Sequence, residues 1–302
     1  MRMRVLVPWG DLVVPAGVEV SVWDGGEELP GGLGDVEFFV LPYDRGRRPV
    51  ELIAELPAVR AVQTLNAGFE EILPVLPAGV CLANGRGLHD LSVAEHTLAL
   101  ILAAQRDLPR WARAQAAGVW DHAHTRSLAD SRVLILGYGS IGRAIERYLL
   151  AGEAVVTRVA RTARAGVHGI DELPKLLPEA DILVAVLPGG AQTWGLLGAA
   201  ELAALPDGAL VVNVGRGTSV DTAALTAEVA AGRLRAALDV VAPEPLPSGH
   251  PLWSLPGVII TPHVAGGSDS FTPRARRLVE RQLAHLVAGE ELENLVVPGG
   301  HR

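Results

Sequence analysis

The sequence predicts an α/β protein of two domains, each built on a largely parallel sheet. Three observations carry this prediction. A short apolar strand at 132–136 leads directly into three glycines at the spacing G-x-G-x-x-G, and a helical pattern follows them. Apolar strands and helices then alternate along the chain, which is typical of a parallel sheet covered on both faces. A separate strand series precedes this region, and one long helix follows it.

The first part of the chain reads as short strands separated by turns and small helices. Its strand-like segments, rich in β-branched residues, are 5–7, 18–22, 36–40 and 61–65, and the segment 49–56 is helical. A longer helix follows at 92–106, where Ser92 and Glu95 have the spacing of a capping box. The central turns of this helix are apolar almost all round, so we expect it to be buried between domains or between subunits. A homodimer is therefore expected.

The second strand series begins with the strand before the glycines. Its further strands are expected at 154–159, 181–187, 209–214, 236–240 and 258–261, with helices at 172–177, 199–205 and 222–231. A last helix at 274–288 is expected to return to the first domain. The predicted domains are thus 1–92 with 273–302, and 93–272. This order describes a Rossmann-type doubly wound parallel sheet inserted into a smaller flavodoxin-like α/β domain.

Length and composition limit the possible partners. The 302 residues suffice for two domains, and a net charge of −8 without a long basic run disfavours nucleic acid and anionic membranes. The N-terminal apolar stretch is too short for a signal peptide and no run approaches a membrane span, so we expect a cytoplasmic protein. Cys81 is the only cysteine, which excludes an internal disulfide and a thiolate metal cluster, and no metal site is expected.

The glycine motif predicts a dinucleotide site. Gly137 allows the tight strand-to-helix turn, Gly139 lets a pyrophosphate approach the backbone, and Gly142 lets the helix pack closely on the strand. The helix start at Ser140 and Ile141 offers free N–H groups and a positive dipole end to the phosphates. The predicted cofactor site also includes Leu187, Pro188 and Val214, near the ends of two other strands.

The exit of the second strand distinguishes between the two nicotinamide cofactors. An acidic residue there usually holds the ribose 2′-hydroxyl of NAD, but residues 154–164 contain no acid and three arginines. Guanidinium groups can bind a 2′-phosphate through charge-assisted hydrogen bonds. We therefore predict that NADP(H) is preferred over NAD(H), with Arg158, Arg161 and Thr162 at the phosphate. The alternative is that these arginines are only solvated surface charges.

Three charged or titratable residues follow three successive strands. Arg216, Glu244 and His263 come after the strands at 209–214, 236–240 and 258–261, and the carboxyl ends of parallel strands share one edge of a sheet. When a hydride reaches a ketone, negative charge develops on oxygen, and a nearby imidazolium can neutralise it by giving a proton. A carboxylate can orient that imidazole, and a guanidinium can bind a substrate carboxylate and polarise the adjacent carbonyl.

These motifs together resemble one protein family, the D-isomer-specific 2-hydroxyacid dehydrogenases. The resemblance runs over most of the chain and rests on Gly137-Tyr-Gly-Ser-Ile-Gly142, Val212-Asn-Val-Gly-Arg-Gly217, Ala237-Leu-Asp-Val240 with Glu244-Pro-Leu246, and Thr261-Pro-His-Val-Ala-Gly266. It implies that Arg216 binds and polarises the substrate and that His263, paired with Glu244, is the general acid/base. It further implies that Asp239 lies near the nicotinamide amide, although a purely structural acid at a strand end is the alternative.

The same resemblance implies a substrate loop in the first domain. Val62-Gln-Thr-Leu-Asn-Ala-Gly68 looks like the family's loop, in which the amides of Ala67 and Gly68 hold the substrate carboxylate beside Asn66. The expected function is NADP(H)-dependent reduction of small 2-oxo acids, of the glyoxylate or hydroxypyruvate kind, to D-2-hydroxy acids. Two alternatives stay open: NAD-dependent oxidation of a small anion or D-hydroxy acid, and a non-enzymatic, dinucleotide-sensing role like that of a corepressor.

Overall fold

The computed structural model describes residues 2–300, and within that range it contains thirteen strands and eight α-helices. The strands are β1 (Met3–Val7), β2 (Val18–Val22), β3 (Val36–Val40), β4 (Ala61–Gln63), β5 (Cys81–Ala83), β6 (Arg132–Leu136), β7 (Val155–Ala160), β8 (His168–Gly169), β9 (Ile182–Ala185), β10 (Leu210–Asn213), β11 (Arg235–Leu238), β12 (Val258–Ile260) and β13 (Leu295–Val297). The helices are α1 (Arg48–Leu52), α2 (Asp90–Gln105), α3 (Leu108–Ala116), α4 (Ser140–Ala151), α5 (Leu173–Leu176), α6 (Ala199–Ala204), α7 (Thr222–Ala230) and α8 (Phe271–Ala288).

The chain divides into two compact units. One comprises Met1–His89 with Asp269–Arg302, and the other comprises Asp90–Ser268. The larger unit contains a seven-stranded sheet in the order β12-β11-β10-β9-β6-β7-β8, and all of its strand pairs are parallel. Counted from β6, this is the Rossmann order 3-2-1-4-5-6 with a seventh strand added, and the strand order reverses between β6 and β9.

Both faces of this sheet are covered because its strands are apolar on both sides. Along β6, Leu134 and Leu136 belong to one hydrophobic cluster, which α6 and α7 also join, whereas Val133 and Ile135 belong to a second cluster with α2 and α4. Burial of both faces fixes the sheet between its helices. Because helices cover both faces, the carboxyl edge of the strands is the part of this sheet where a ligand can bind.

The smaller unit has a six-stranded sheet in the order β13-β5-β4-β3-β1-β2. Its parallel part follows the flavodoxin-like order 2-1-3-4-5, and β13 pairs with β5 in the antiparallel direction. Helix α8 packs on one face through Phe271, Leu278 and Leu283, and α1 packs on the other through Val50 and Leu52. The predicted fold class is therefore confirmed.

Several details of the predicted elements differ from the structure. The sequence analysis did not identify β5, β8 or β13, because segments of two or three residues are too short to show an alternating pattern. Helix α2 begins at Asp90, so Ser92 lies buried inside its first turn and is not the cap. The larger unit spans Asp90–Ser268, and the sequence analysis placed its boundaries at 93 and 272. Among the described residues, no helix has the length and apolar character needed to cross a bilayer.

Candidate active site

The glycine motif lies at the point where the strand order of the larger unit reverses. Gly137 has φ +109°, and a Cβ there would lie 2.5 Å from the carbonyl oxygen of Val186, just beyond β9. A Cβ on Gly142 would lie 2.7 Å from the carbonyl oxygen of Gly137, so this glycine permits the close packing of α4 on the turn. Both positions therefore require glycine for steric reasons.

Gly139 is different, because its environment points to a ligand. A Cβ there would meet no protein atom within 4 Å, and α4 begins directly after it without a side-chain cap. A helix of 12 residues presents unpaired N–H groups and the positive end of its dipole at this start. The open space above Gly139 and the uncapped helix start fit the pyrophosphate of a dinucleotide. The side chain of Ser140 donates to Asp90 at 3.2 Å.

The three other residues predicted at the cofactor lie at the ends of β9 and β10. Leu187 and Pro188 follow β9, and Val214 follows β10, so all three are at the carboxyl edge beside the glycine turn. Leu187 and Val214 are almost completely buried. The backbones of the two exits approach each other so closely at Gly215 that a Cβ would lie 2.5 Å from the amide nitrogen of Leu187.

The structure gives the arginines near the second strand different surroundings. Arg158 lies within β7, where its guanidinium pairs with the buried carboxylate of Glu146 and stacks on the ring of Tyr138. Arg161 and Thr162 follow the strand end and are exposed, and neither side chain has a hydrogen-bond partner among residues 2–300. The sequence treated Arg158 and Arg161 alike because both are near the strand exit, whereas only Arg161 has its guanidinium free for a ligand.

The three catalytic candidates follow adjacent strands. Arg216 comes after β10, Glu244 after β11 and His263 after β12, and these strands are neighbours in the sheet. Two neighbouring side chains hold the turn that carries Arg216. The carbonyl oxygen of Arg216 accepts hydrogen bonds from Asn213 Nδ2 at 3.1 Å and from Ser219 Oγ at 2.8 Å. A Cβ on the next residue, Gly217, would overlap the carbonyl of Val241, so this turn lies against the segment that leads to Glu244.

Glu244 and His263 form a direct pair. The distance from Nδ1 of His263 to Oε1 of Glu244 is 2.5 Å, and both side chains are about half exposed. This contact fixes the ring orientation and makes Nδ1 the donor to the carboxylate. Nε2 has no partner among residues 2–300, so it is available to a substrate oxygen. His263 has φ +54°, a left-handed conformation that is uncommon for a residue with a side chain.

Asp239 holds the loop on which His263 lies. Its side chain is almost fully buried and accepts hydrogen bonds from Thr261 Oγ1 at 2.6 Å and from the amides of Val264 and Ala265 at 3.0 Å each. Burial alone would raise the pKa of Asp239, but the hydrogen bonds from His96, Thr261 and these amides outweigh burial and lower it to about 2. The backbone carbonyl of Asp239 also accepts from the amide of His263 at 2.8 Å.

The sequence analysis missed two residues of this site. His96 lies on α2, with its Nε2 3.0 Å from Thr261 Oγ1 and 3.4 Å from Asp239 Oδ1. An imidazole in an otherwise apolar helical segment was the available signal, because such a group needs a polar partner when the helix is buried. Thr261 was placed at the end of a strand and at the start of the motif around His263, but it was given no part in the site.

The predicted substrate loop lies in the smaller unit, where its first two residues belong to β4 and the others follow this strand. Its carbonyls are used by the protein, since Ala67 O accepts from Asn84 Nδ2 at 2.7 Å and Asn66 O accepts from the amide of Gly85 at 2.7 Å. The amides of Ala67 and Gly68 have no acceptor among residues 2–300. Asn66 and Ala67 are exposed. Neighbouring free amides on a held loop are suited to binding an anion such as a carboxylate.

Comparison with known proteins decides the family. Residues 98–265 match the family model described as D-isomer specific 2-hydroxyacid dehydrogenase, NAD binding domain. The chain belongs to this family. The match covers more than half of the chain and includes the glycine motif, Arg216, Glu244 and His263, so the resemblance found in the sequence is confirmed.

Individual relatives agree with this assignment. The chain is 31% identical to a D-3-phosphoglycerate dehydrogenase of Archaeoglobus fulgidus over 93% of its length and 55% of that protein. It is 32% identical to glyoxylate/hydroxypyruvate reductase A of Yersinia enterocolitica, over 72% of this chain and 74% of the relative. A solved structure of a D-isomer specific 2-hydroxyacid dehydrogenase from Xanthobacter autotrophicus Py2, in complex with NADPH and MES, matches with TM-score 0.81 and 31% identity, covering 97% of this chain and 98% of that one. This chain spans about half the length of the D-3-phosphoglycerate dehydrogenases that it matches.

Proposed function

We propose that this protein is an NADP(H)-dependent reductase of small 2-oxo acids, of the glyoxylate or hydroxypyruvate type, which produces D-2-hydroxy acids. The observation that carries the proposal is the pair of His263 and Glu244 on the sheet edge that also bears Arg216 and the glycine turn. The relative from Yersinia enterocolitica, a glyoxylate/hydroxypyruvate reductase, supports this substrate class.

Each of the three residues has a distinct part in the reaction. A bound nicotinamide dinucleotide would supply the hydride for the carbonyl carbon of the substrate. Arg216 binds the substrate carboxylate and polarises the carbonyl, because its positive charge stabilises the oxygen that becomes negative. His263 gives a proton from Nε2 to that oxygen, which completes the hydroxyl group. Glu244 holds the ring at Nδ1 and stabilises its positive charge before the proton is given.

The substrate is tested by steady-state kinetics. We expect oxidation of NADPH with glyoxylate or hydroxypyruvate, and slower turnover of D-3-phosphoglycerate in the reverse direction with either oxidised cofactor. Preferential oxidation of D-3-phosphoglycerate would instead show that the protein shares its substrate with the D-3-phosphoglycerate dehydrogenases that it resembles. Absence of turnover with every 2-oxo acid would remove the proposal and favour a non-enzymatic role that senses dinucleotides.

We also propose that NADP(H) is preferred over NAD(H), with Arg161 and Thr162 at the 2′-phosphate and Arg158 adding positive charge from β7. The exposed, unpaired guanidinium of Arg161 supports this, and so does the NADPH bound in the similar structure from Xanthobacter autotrophicus. One charge-assisted hydrogen bond contributes about 1.5–3 kcal/mol, so Arg161→Ala should raise KM for NADPH about 10- to 100-fold. KM for NADH should stay unchanged.

Arg147→Ala is the matched control for this experiment. Arg147 is also an exposed arginine of the larger unit, on α4, but it lies two turns from the helix start. Its replacement should change neither Michaelis constant. Equal changes for NADPH and NADH in Arg161→Ala would show that Arg161 does not bind the 2′-phosphate.

A homodimer is the proposed assembly. The face of α3 and the segment after it expose Leu108 (51% exposed), Val119 (57%) and Trp120 (96%). Leu102 on α2 is also exposed in the single chain, and the sequence analysis expected this helix to be buried between domains or between subunits. Val119 and Trp120 are adjacent, and an exposed apolar patch commonly marks an interface between proteins. Light scattering at micromolar concentration tests this proposal.

A further inference from the structure

The predicted substrate loop is held through its carbonyl groups. Four successive carbonyls, those of residues 64–67, each accept a hydrogen bond from within the smaller unit. The donors, in that order, are the Gln63 side chain at 2.7 Å, His89 Nε2 at 3.0 Å, the amide of Gly85 at 2.7 Å and Asn84 Nδ2 at 2.7 Å. Three of the four donors belong to one stretch of chain after β5, residues 84–89, which we call the support segment.

The planar peptide unit links each of these carbonyls to the next amide. In a trans peptide, the C=O bond of one residue and the N–H bond of the following residue point in opposite directions. A donor that fixes a carbonyl oxygen therefore also fixes the direction of the N–H group that follows. In the first of these units both ends are used by the protein, because the Leu65 carbonyl accepts from His89 and the Asn66 amide donates to Thr64 Oγ1 at 3.1 Å.

The next two peptide units are used only at their carbonyl ends. The carbonyls of Asn66 and Ala67 are held, whereas the amides that follow them, of Ala67 and Gly68, find no acceptor in the described part of the chain. Gly85 therefore sets the direction of the Ala67 amide, and Asn84 sets that of the Gly68 amide. Both amides consequently point away from the support segment, where an anion can accept from them together.

The side chain of Asn84 is itself fixed in direction. It is 8% exposed, and its Oδ1 accepts from the amide of Arg86 at 3.2 Å while its Nδ2 donates to the Ala67 carbonyl. Because an amide side chain has one donor end and one acceptor end, these two partners allow a single orientation. The backbone amide of Asn84 donates to the carbonyl of Asn294 at 3.1 Å, just before β13. Asn84 is therefore a rigid donor to the loop.

The contact at Gly85 depends on the backbone alone. A Cβ there would lie 2.3 Å from the carbonyl oxygen of Leu65, so a side chain would push the support segment away from the loop. This close approach is what brings the Gly85 amide to the Asn66 carbonyl. The contact at Ala67 is made by a side chain instead, so it can be removed by a substitution that leaves the backbone in place.

We propose that Asn84 is a positioning residue for substrate binding, which aims the Gly68 amide at the substrate carboxylate without touching the substrate itself. This inference rests on the proposed reduction of 2-oxo acids. An N–H group that is oriented in advance binds an anion without the entropic cost of ordering the loop. The carboxylate does not change charge during hydride transfer, so Asn84 contributes equally to substrate and transition-state binding. Its contribution therefore lies in KM for the 2-oxo acid and not in kcat.

Steady-state kinetics of Asn84→Ala test this proposal. KM for glyoxylate should rise about 3- to 10-fold, the effect of one lost hydrogen bond, with kcat and the Kd of NADPH unchanged. Asn84→Asp should raise KM further, because a carboxylate oxygen would then face the carbonyl oxygen of Ala67. A purely structural role would lower the amount of active protein, and with it the apparent kcat, but would leave KM as it is. If Asn84→Ala does not fold, Asn84→Asp decides in its place, since it keeps the acceptor for the Arg86 amide.

Asn294→Gly serves as the control for these variants. Asn294 also donates from Nδ2 to a backbone carbonyl, that of Arg86 in the support segment, at 2.9 Å, but it bonds no carbonyl of residues 64–67. Its φ of +56° suits glycine, so the substitution removes the side-chain hydrogen bonds without straining the backbone. KM for glyoxylate in Asn294→Gly should equal that of the unchanged protein.

Oxamate separates failure of this proposal from failure of the proposed reaction. It carries the carboxylate of a 2-oxo acid beside an amide carbonyl that NADPH does not reduce, and calorimetry measures its binding to the full chain saturated with NADPH. Asn84→Ala should weaken oxamate about 3- to 10-fold, and Asn294→Gly should leave its affinity unchanged. If the unchanged protein binds oxamate but reduces no 2-oxo acid, the proposed function fails and the oxamate affinities alone decide the role of Asn84. Equal oxamate affinity in Asn84→Ala and the unchanged protein, or no binding of millimolar oxamate by the unchanged protein, would overturn that role.

Discussion

Replacing Asp239 by asparagine removes the charge that holds the His263 loop. The Asp239 pKa of about 2, against an ordinary value of 3.8, corresponds to about 2 kcal/mol of stabilisation at pH 7. An asparagine can keep some of the four hydrogen bonds, but its NH₂ group cannot accept from an amide or a hydroxyl. One buried donor left unpaired costs about 1–3 kcal/mol, so together with the lost charge the total loss should be about 3–5 kcal/mol.

The pH dependence of this loss follows from the sign of the shift. Because the pKa of Asp239 is lower in the folded protein, its contribution is complete above about pH 4 and is lost as the pH falls towards 2. The difference in unfolding free energy between the unchanged protein and Asp239→Asn should therefore be full at pH 7 and smaller at pH 3.

Urea unfolding followed by circular dichroism measures this difference. Asp207→Asn is the control, because Asp207 is 88% exposed and lies 3.8 Å from Arg233, so its loss should change the free energy of unfolding by less than about 0.5 kcal/mol. The urea midpoint of Asp239→Asn should be clearly lower than that of the control. Equal midpoints at pH 7 would refute the view that the Asp239 carboxylate holds this loop.

Other substitutions test the remaining parts of the site. Gly142→Ala should lower the thermal stability measured by calorimetry, because its Cβ would lie 2.7 Å from the Gly137 carbonyl oxygen. Gly139→Ala should fold normally and bind NADPH more weakly in a titration. If Gly139→Ala binds NADPH as tightly as the unchanged protein, the pyrophosphate does not lie against Gly139. His263→Asn should lower kcat by about 10²- to 10⁴-fold with the Kd of NADPH unchanged, and a normal kcat would exclude His263 as the proton donor. Trp120→Ser should shift a dimer towards monomer in light scattering; if the mass stays that of a dimer, the interface lies elsewhere.

Local patterns in the sequence were sufficient for most of the fold. The glycine spacing, the apolar strands and the intervening helices predicted the doubly wound sheet, because each feature depends on residues close together in the chain. The order of Arg216, Glu244 and His263 after successive strands predicted their common edge for the same reason, since parallel neighbouring strands end together. Very short strands such as β8 were not found, because their pairing depends on partners elsewhere in the sheet.

Contacts between distant residues were decided only by the tertiary structure. The pair of Arg158 with Glu146 joins residues 12 apart, and the contact of Arg235 with Gln105 joins residues 130 apart. No local pattern records such a contact, because the side chains meet only when helices pack on the sheet. The sequence by itself thus determined the fold, the glycine turn and the residue types available for chemistry. The tertiary structure decided which arginine is left free and which carboxylate holds the histidine loop.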